Sequence, residues 1–138
     1  MSDARILIAD DGRVMRTVIS AKLVASGYAV TAVASGREVL ESIDKEAFDL
    51  LVLDIHMPEM DGLETLHHLR ERFTAIQLPV IMATANDRDE DVVGSFEAGA
   101  SDFVSKPINF PVLLARVKTH LELKRAVEEL ERLADPRE

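Results

Sequence analysis

The chain has 138 residues and fits a single domain with one hydrophobic core. Cysteine is absent, which excludes disulfides and thiolate chemistry, and the excess of 25 acidic over 16 basic residues disfavours direct binding to DNA or RNA. No apolar run is long enough to cross a bilayer and the N-terminus lacks a signal-peptide core, so we expect a cytoplasmic protein without membrane contact.

Short apolar segments alternate with segments of helical period along the chain. The third and fourth apolar segments contain almost no polar residue, which is typical of strands covered by helices on both faces. Strict alternation predicts an α/β fold with a doubly wound, five-stranded parallel sheet and right-handed crossovers. The predicted strands are Arg5–Asp10, Ala29–Val33, Leu50–Asp54, Val80–Thr84 and Asp102–Ser105.

Several residues mark where the intervening helices begin and end. Ser35 precedes Glu38 by three positions, as in a capping box, and Asp87 precedes Glu90 by the same interval. Glycine or proline marks three further boundaries: Gly27 and Gly99 after helices one and four, and Pro111 in the first turn of helix five. The apolar stripe of helix four is predicted at Val92, Val93 and Phe96.

The fifth helix is predicted to be unusually long, because neither glycine nor proline interrupts it between Phe110 and Pro136 apart from Pro111 in its first turn. At 1.5 Å per residue it would extend roughly 35–40 Å, more than a helix needs to cover a small sheet. Its first half is predicted to pack on the core through Leu113, Leu114, Val117 and Leu121.

The second half of this helix carries its own apolar stripe, with 4-3-4 spacing among charged residues. We therefore assign residues 1–121 to the domain and residues 122–138 to an extension that serves as a connector or a dimer helix. A frayed, solvated tail is the alternative. The connector interpretation predicts that the chain is the N-terminal segment of a larger regulator, with a stand-alone regulator as the alternative. The stripe comprises Leu123, Val127, Leu130 and Ala134, and Glu128 and Arg132 are placed as an i,i+4 ion pair.

Carboxylates follow two of the predicted strands. In an open parallel sheet, ligands bind outside the carboxyl ends of the strands. Strand one ends in Asp10 and Asp11 and strand three ends in Asp54, so a strand order of 2-1-3-4-5 would bring three carboxylates together. Such groups repel one another and raise each other's pKa, which a hard cation such as Mg²⁺ relieves.

Two further strand ends supply groups that suit phosphate chemistry. Thr84 ends strand four, and Lys106 follows strand five. A metal, an ammonium group and a hydroxyl around one carboxylate form an electrostatic clamp for a phosphoryl group, with Asp54 as the nucleophile. Each residue alone has an ordinary explanation, such as a helix cap or a turn. Their coincidence at four of five strand ends, without a Walker loop or GxGxxG, favours the phosphoryl chemistry.

Four segments in order carry these residues: ILIADD at 6–11, LDIHMPEMDG at 53–62, IMATA at 81–85 and GASDFVSKP at 99–107. Together they resemble the receiver domains of bacterial two-component response regulators, over about residues 4–121. The resemblance implies a flavodoxin-like fold with strand order 2-1-3-4-5. It also implies a phosphoacceptor that catalyses only its own phosphorylation and dephosphorylation, with a histidine kinase or phosphotransfer protein as donor.

The resemblance also implies roles for individual residues at the metal site. Asp54 would be the phosphorylation site, and Asp10 and Asp11 would be the acids that bind Mg²⁺ or Mn²⁺. The backbone carbonyl of His56 would be a further metal ligand. Thr84 and Lys106 would contact the phosphoryl group.

A conformational switch is implied as well. In receiver domains the threonine hydroxyl moves toward the phosphoryl group, and an aromatic residue three positions before the lysine rotates inward, here Thr84 and Phe103. An ordinary core aromatic is the alternative for Phe103. Helix four, strand five and helix five would form the face that contacts an output domain or effector protein, with a homodimer as a further partner. A cis peptide is expected between Lys106 and Pro107.

Two other functions are weighed against this one. A phosphatase of the haloacid-dehalogenase type also uses a nucleophilic aspartate and Mg²⁺. It requires a second acid two residues after the nucleophile, and this pair belongs to the first strand. Here that position is His56, on the third strand. A pseudo-receiver that only binds partners should lack one of the acids, the threonine or the lysine, and this chain has all of them.

The histidines and one asparagine remain to be interpreted. His56 and Asn86 lie two residues after Asp54 and Thr84, at positions that in receivers tune the lifetime of the phosphate. We hypothesise that the His56 imidazole affects hydrolysis, with a solvent-facing side chain as the alternative. His67 and His68 lack the spacing of a zinc site and are expected at the surface, and His120 at the surface or rim.

Overall fold

The structure, a computed structural model, describes residues 4–85 and 89–135. In this part of the chain strands and helices alternate strictly, as predicted. The elements are β1 (Arg5–Ala9), α1 (Arg13–Ala25), β2 (Ala29–Val33), α2 (Gly36–Lys45), β3 (Leu50–Asp54), α3 (Gly62–Arg70), β4 (Val80–Thr84), α4 (Asp89–Glu97), β5 (Asp102–Ser105) and α5 (Phe110–Ala134).

The strands form one parallel sheet in the order β2-β1-β3-β4-β5. This order confirms the predicted flavodoxin-like α/β fold. β1 and β3 are direct neighbours, and Ala9 pairs with Leu53 near their carboxyl ends. The residues that follow this pair, Asp10 and Asp54, therefore stand side by side at the same edge of the sheet.

Side chains of each strand alternate between two hydrophobic cores, because successive residues of a strand point to opposite faces. On β1, Ile6 and Ile8 pack in the core covered by α1 and α5, whereas Leu7 and Ala9 pack in the core covered by α2 and α3. All residues of β3 and β4 are buried, which confirms that both strands are covered on both faces. The sheet is thus rigidly held between two layers of helices.

The capping box of α2 forms with one variation. The Ser35 hydroxyl accepts a hydrogen bond from the Glu38 backbone N–H at 3.2 Å, as predicted. The Glu38 carboxylate accepts from the backbone N–H of Ala34 at 2.9 Å, one residue before the cap. The second predicted capping box, at positions 87 and 90, lies outside the residues and side chains that the structure describes.

The other helix boundaries agree with the sequence. Gly27 and Gly99 follow α1 and α4 with φ of 98° and 105°, a left-handed conformation that glycine adopts without a Cβ clash. Pro111 lies in the first turn of α5, where the side chain of Asn109 caps the helix by accepting from the N–H of Val112.

The first strand ends one residue earlier than predicted, at Ala9 instead of Asp10. The N–H of Asp10 still donates to the carbonyl oxygen of Val33 at 3.2 Å. Its own carbonyl oxygen turns away from the sheet and accepts from the Arg16 guanidinium at 2.8 Å. The strand therefore ends before Asp10, because the Asp10 carbonyl oxygen bonds to Arg16 instead of to a neighbouring strand.

The predicted core stripe of α4 is only partly buried. Val92 is partly buried, but Val93 and Phe96 are 54% and 46% exposed, and the buried position of this helix is Ser95. The helix is present as predicted, but its apolar stripe does not face the core as a whole, because Val93 and Phe96 lie on the outer side of α4. These side chains form an exposed apolar surface near β5.

The first part of α5 packs as predicted, with Leu113, Val117 and Leu121 buried and Leu114 partly buried. The buried side of α5 continues to Lys124, which is 9% exposed. Its ammonium group contacts the Asp49 carboxylate at 3.4 Å. The helix is therefore held against the sheet for one turn beyond Leu121.

The outer side of α5 exposes Leu123 within that turn and Leu130 and Leu133 beyond it, at 45%, 66% and 66% exposure, whereas Val127 is partly buried. The predicted Glu128–Arg132 ion pair was wrong: Arg132 pairs with Glu129. Glu128 instead lines a cleft at the edge of the body together with Lys124 and Arg125. In the described part of the chain, no helix is both long and apolar enough to span a membrane.

Candidate functional site

Three carboxylates meet at the carboxyl ends of β1 and β3. Asp10 and Asp54 are almost completely buried, at 3% and 4% exposure, whereas Asp11 is exposed. One oxygen from each of the three side chains lies within 4.8 Å of the others. The structure therefore brings together the three acids that the sequence placed at neighbouring strand ends.

Lys106 lies between two of these acids. Its ammonium group donates to Oδ2 of Asp10 at 2.7 Å and to Oδ2 of Asp54 at 3.2 Å. Burial alone would lower the pKa of Lys106, but its hydrogen bonds to Asp10 and the charges of both carboxylates outweigh burial and raise that pKa. The lysine is held as a cation. Its peptide bond to Pro107 is cis, as expected.

The surroundings of Asp54 disfavour the ionised form of its carboxylate. Burial is the main factor that raises its pKa above the ordinary value, and the charge of Asp10 raises it further. The Lys106 ammonium and the backbone N–H of His56, which donates to Oδ1 of Asp54 at 3.2 Å, act in the opposite direction without cancelling the effect. An additional cation at this place would lower the free energy of the ionised form.

Thr84 completes this edge of the sheet. It is fully buried at the end of β4, one position beyond Ala83, which pairs with Asp54. Thr84 pairs with Ser105 on β5, and its carbonyl oxygen accepts from the backbone N–H of Lys106 at 2.8 Å. Thr84 is therefore located on the strand between those that carry Asp54 and Lys106.

Phe103 lies on β5, away from the acids. It pairs with Met82 in the sheet and is partly buried against the core that α2 and α3 cover. This placement is compatible with a core aromatic and with a side chain that rotates. The switch role of Phe103 stays a prediction.

The loop after β3 folds tightly back on the strand. The N–H of Gly62 donates to the carbonyl oxygen of Ile55 at 2.7 Å. A Cβ atom at Gly62 would stand 2.2 Å from the carbonyl oxygen of Asp54, so a side chain cannot be accommodated there. Glu59, in the same loop, has a φ of 68°. His56 is exposed at the start of this loop.

The ligand chemistry of the site fits a hard divalent cation. Carboxylate oxygens are the ligands that Mg²⁺ prefers, and burial together with the charge of Asp10 raises the pKa of Asp54, so a cation would stabilise its ionised form. Among the described residues, the three acids form the one group of side chains close enough to share an ion. His67 is exposed and His68 partly exposed on α3, as expected for surface residues.

Two residues contact Asp10 beside the other acids, and of these Arg16 was not predicted from the sequence, whereas Gly12 was expected to ease the turn after Asp11. The Arg16 guanidinium donates to the carbonyl oxygen of Asp10, and the N–H of Gly12 donates to Oδ1 of Asp10, both at 2.8 Å. Nothing in the sequence distinguishes Arg16 from Arg13, one turn earlier on the same helix. The hydrogen bond between Arg16 and the Asp10 carbonyl oxygen depends on how α1 packs against β1.

A second polar cluster joins β5 to α5. His120, expected at the surface or rim, has a side chain only 16% exposed, and its Nε2 lies 2.9 Å from Oδ2 of Asp102. Arg116 donates to both oxygens of the same carboxylate at 3.2 Å. Burial opposes ionisation of Asp102, but the hydrogen bonds of His120 and of the Phe103 N–H, with the Arg116 charge, lower its pKa overall.

Comparison with known proteins identifies relatives of the whole domain. The family model described as "Response regulator receiver domain" matches residues 6–118. A probable cyclic di-GMP phosphodiesterase of Vibrio cholerae serotype O1 is 39% identical over 126 residues, which cover 91% of this chain and 28% of that protein. The response regulator MprA of Mycobacterium avium is 37% identical over 130 residues, covering 94% of this chain and 56% of the relative.

The fold is shared with solved structures at similar identity. A putative response regulator from Chloroflexus aurantiacus superposes with a TM-score of 0.82 at 33% identity, covering 88% of this chain and 99% of that one. This chain spans 28% and 56% of the lengths of the two curated relatives above. The chain therefore belongs to the family of response regulator receiver domains of two-component systems.

Proposed function

We propose that this receiver accepts a phosphoryl group on Asp54 from the phosphohistidine of a histidine kinase or phosphotransfer protein. The observation that carries the proposal is the placement of a nearly buried Asp54 carboxylate between the Lys106 ammonium and the acids Asp10 and Asp11. A buried carboxylate with a raised pKa lowers the stability of the fold when it is ionised, so stability alone does not explain its presence. It is a suitable nucleophile when cations neutralise the incoming charge.

We propose Mg²⁺, or Mn²⁺ in its place, as the cofactor. Asp10, Asp11 and Asp54 would hold the ion together with the backbone carbonyl of His56. When bound, the ion supplies positive charge that offsets the carboxylates and the phosphoryl oxygens. The grouping of three carboxylates within reach of one ion supports this assignment. The raised pKa of Asp54, caused mainly by burial and further by the charge of Asp10, is consistent with a place for an additional cation.

The transfer step is a substitution at phosphorus. An oxygen of Asp54 attacks the phosphorus atom of phosphohistidine, the new O–P bond forms, and the P–N bond breaks with its electron pair passing to the imidazole nitrogen. Lys106 and the Thr84 hydroxyl donate hydrogen bonds to the phosphoryl oxygens. In a separate hydrolysis step, water attacks the phosphorus of the aspartyl phosphate. The bond between phosphorus and the Asp54 oxygen breaks with its electron pair returning to the carboxylate, and inorganic phosphate leaves. The domain acts on no separate substrate.

Incubation with acetyl phosphate and Mg²⁺, followed by intact-mass measurement, tests the proposal. We expect the mass increase of one phosphoryl group, abolished by Asp54→Asn and retained in Glu59→Gln, a control acid exposed in the same loop. Absence of an adduct with any donor would indicate a pseudo-receiver. Rapid turnover of many phosphomonoesters would indicate a phosphatase instead.

We further propose that phosphorylation is signalled through the face formed by α4, β5 and α5, with Thr84 and Phe103 as the switching side chains. Val93 and Phe96 on α4 and Val112 on α5 are large apolar side chains exposed on these helices. Exposed apolar side chains of this kind suit contact with another protein. An output domain or an effector protein is the proposed partner, in the cytoplasm where the kinase acts, and neither nucleic acid nor membrane is involved.

The extension of α5, residues 122–138 by the sequence-based boundary, is proposed as a connector to an output module or as a dimer helix. Both curated relatives are longer than this chain, which supports a further module in the whole protein. The exposed Leu123, Leu130 and Leu133 support a packing partner for the helix.

A further inference from the structure

Arg16 lies beside the acidic cluster without belonging to it. Its guanidinium Nη1 donates to the carbonyl oxygen of Asp10 at 2.8 Å. Its backbone N–H donates to the carbonyl oxygen of Gly12 at 2.9 Å. A single residue of α1 therefore holds both ends of the segment that carries Asp10 and Asp11.

The hydrogen bond from Arg16 to the carbonyl oxygen of Asp10 is one of four hydrogen bonds that hold Asp10 in place. The Asp10 N–H donates to Val33, Oδ1 accepts from the Gly12 N–H, and Oδ2 accepts from Lys106. Asp10 is 3% exposed, so its carbonyl oxygen would lose a partner that water cannot easily replace if Arg16 were removed. The peptide group would then be free to rotate.

This peptide group also determines the position of Asp11. The carbonyl carbon and oxygen of Asp10 and the nitrogen and Cα of Asp11 share one plane, so fixing the carbonyl fixes where the Asp11 side chain starts. Asp11 is exposed, and its carboxylate has no hydrogen bond or ion pair to the residues that the structure describes. The backbone therefore sets where the Asp11 Cβ lies and which rotamers bring its carboxylate to the cluster.

We propose that Arg16 is a positioning residue of the metal site: it holds the Asp10–Asp11 peptide so that both carboxylates face the same divalent cation. This inference rests on the proposed function and adds to it a residue outside the acids themselves. Arg16 acts through the backbone and touches neither the ion nor the phosphoryl group.

The charge of Arg16 and its hydrogen bond have opposite effects on cation binding. A guanidinium near the cluster repels a cation, so loss of the charge alone would strengthen binding slightly. Loss of the hydrogen bond would weaken binding, because the two acids would no longer be oriented together. Arg13 supplies a matched control, since it is exposed on the same helix and its side chain has no hydrogen bond or ion pair within the described residues.

Direct Mn²⁺ titration of the full chain, with free Mn²⁺ followed by electron paramagnetic resonance, separates the two effects. We expect Arg16→Met to raise the Kd for Mn²⁺ roughly tenfold. Arg16→Lys, which keeps a donor and the charge, should recover most of this loss. Arg13→Met should bind as tightly as the unaltered chain or slightly more tightly.

Phosphorylation by acetyl phosphate gives a second measurement. In Arg16→Met, the Mg²⁺ concentration that gives half of the maximal rate should rise by about the same factor as the Kd. The rate at saturating Mg²⁺ should change little, because the reacting groups Asp54, Lys106 and Thr84 are unaltered. A residue that merely stabilised the fold would not shift the metal dependence alone.

Equal Mn²⁺ affinities of Arg16→Met and Arg13→Met would overturn the proposal, as would a lower saturating rate at unchanged affinity. Circular dichroism checks that each variant is folded, and Arg16→Gln replaces Arg16→Met if the latter is not. Failure of the unaltered chain to become phosphorylated would contradict the role of Asp54, while the Mn²⁺ comparison would still decide the role of Arg16.

Discussion

At the residue scale, Asp54 illustrates the cost of keeping a reactive carboxylate in place. Its burial and the neighbouring charge of Asp10 raise its pKa, so the metal-free fold loses stability as pH rises through that raised pKa. Replacing the charge with a neutral amide removes this cost. We expect Asp54→Asn to stabilise the metal-free domain by roughly 0.5–2 kcal/mol at pH 7, measured by urea unfolding with a chelator present.

Asp11→Asn is the matched control for Asp54→Asn, because Asp11 belongs to the same cluster but is exposed. Its effect on the urea midpoint should be smaller. A midpoint for Asp54→Asn below that of the unaltered chain would show that the ion pair with Lys106 outweighs the burial of Asp54.

Glu59 is a second residue held under strain. Its φ of 68° lies in the left-handed region, which costs a residue with a Cβ about 1–2 kcal/mol relative to glycine. We expect Glu59→Gly to raise the free energy of unfolding by about 1 kcal/mol. Glu64→Gly, in the first turn of α3, should lower it by a similar amount. Equal signs for the two glycine variants would contradict the strain at Glu59.

The side chain of His56 is exposed two residues after Asp54, the proposed phosphorylation site, and its backbone N–H donates to Oδ1 of Asp54. Its proposed effect on phosphate lifetime requires the side chain. We expect His56→Ala to change the rate of dephosphorylation, measured between pH 6 and 8. His67→Ala, on the exposed surface of α3, should not change it. An unchanged decay rate across this pH range would dispose of a role for the imidazole.

At the scale of secondary-structure elements, the contact between β5 and α5 depends on Asp102. Its lowered pKa means that the carboxylate contributes stability above its ordinary pKa and loses that contribution as pH falls through the lowered value. We expect Asp102→Asn to cost about 1–2 kcal/mol at neutral pH, since hydrogen bonds from Arg116 and His120 are weakened.

The difference in unfolding free energy between Asp102→Asn and the unaltered chain should shrink as pH falls from the ordinary aspartate pKa of about 4 through the lowered pKa of Asp102. Asp44→Asn is the control, because Asp44 forms an exposed ion pair with Arg72 and should have little effect. A difference that is constant from pH 7 to pH 3 would show that Asp102 acts through packing instead of charge.

At the scale of the whole molecule, we propose that the extension of α5 determines how the domain contacts other chains. Lys124 holds the helix on the body, and Leu130 and Leu133 are exposed beyond it. We expect the chain to associate through this surface when a phosphate mimic is bound, measured by sedimentation equilibrium. Leu130→Glu combined with Leu133→Glu should weaken the association at least tenfold, because charges would be buried in the contact.

Lys118→Glu is the control for this pair, since it changes the charge of α5 on the side that lines a cleft with Tyr28 and Leu121. It should leave the association largely unchanged. Identical sedimentation of all three chains would assign the exposed leucines to a contact with an output module instead of a second copy.

Sequence periodicity was sufficient for the order of the elements and for most of their bounds. Apolar runs, capping residues and glycines are properties of residues close in the chain, and hydrogen bonds within a helix or turn act over the same short distances. The periodicity was less informative about whether a given apolar residue is buried in the core or exposed on the surface. Val93 and Phe96 have the spacing of a core stripe, yet they are exposed on α4.

The acids, the threonine and the lysine could be predicted as one site because parallel strands bring their carboxyl ends to one edge. That rule predicts that these side chains lie near one another, but it does not predict which of their atoms form hydrogen bonds. The bond between Lys106 and Asp10 joins positions 96 apart, and the one between Arg70 and Gly99 joins positions 29 apart. Neither pair has a sequence pattern that identifies its partner.

The sequence by itself therefore determined the fold class, the strand ends that carry the site, and the residue types available there. Only the tertiary structure decided which groups touch: Arg16 rather than Arg13 on the Asp10 carbonyl, Glu129 rather than Glu128 on Arg132, and His120 on Asp102. The physical reason is that local propensity acts between neighbours in the chain. The choice between two similar side chains depends on helix rotation and packing against distant strands.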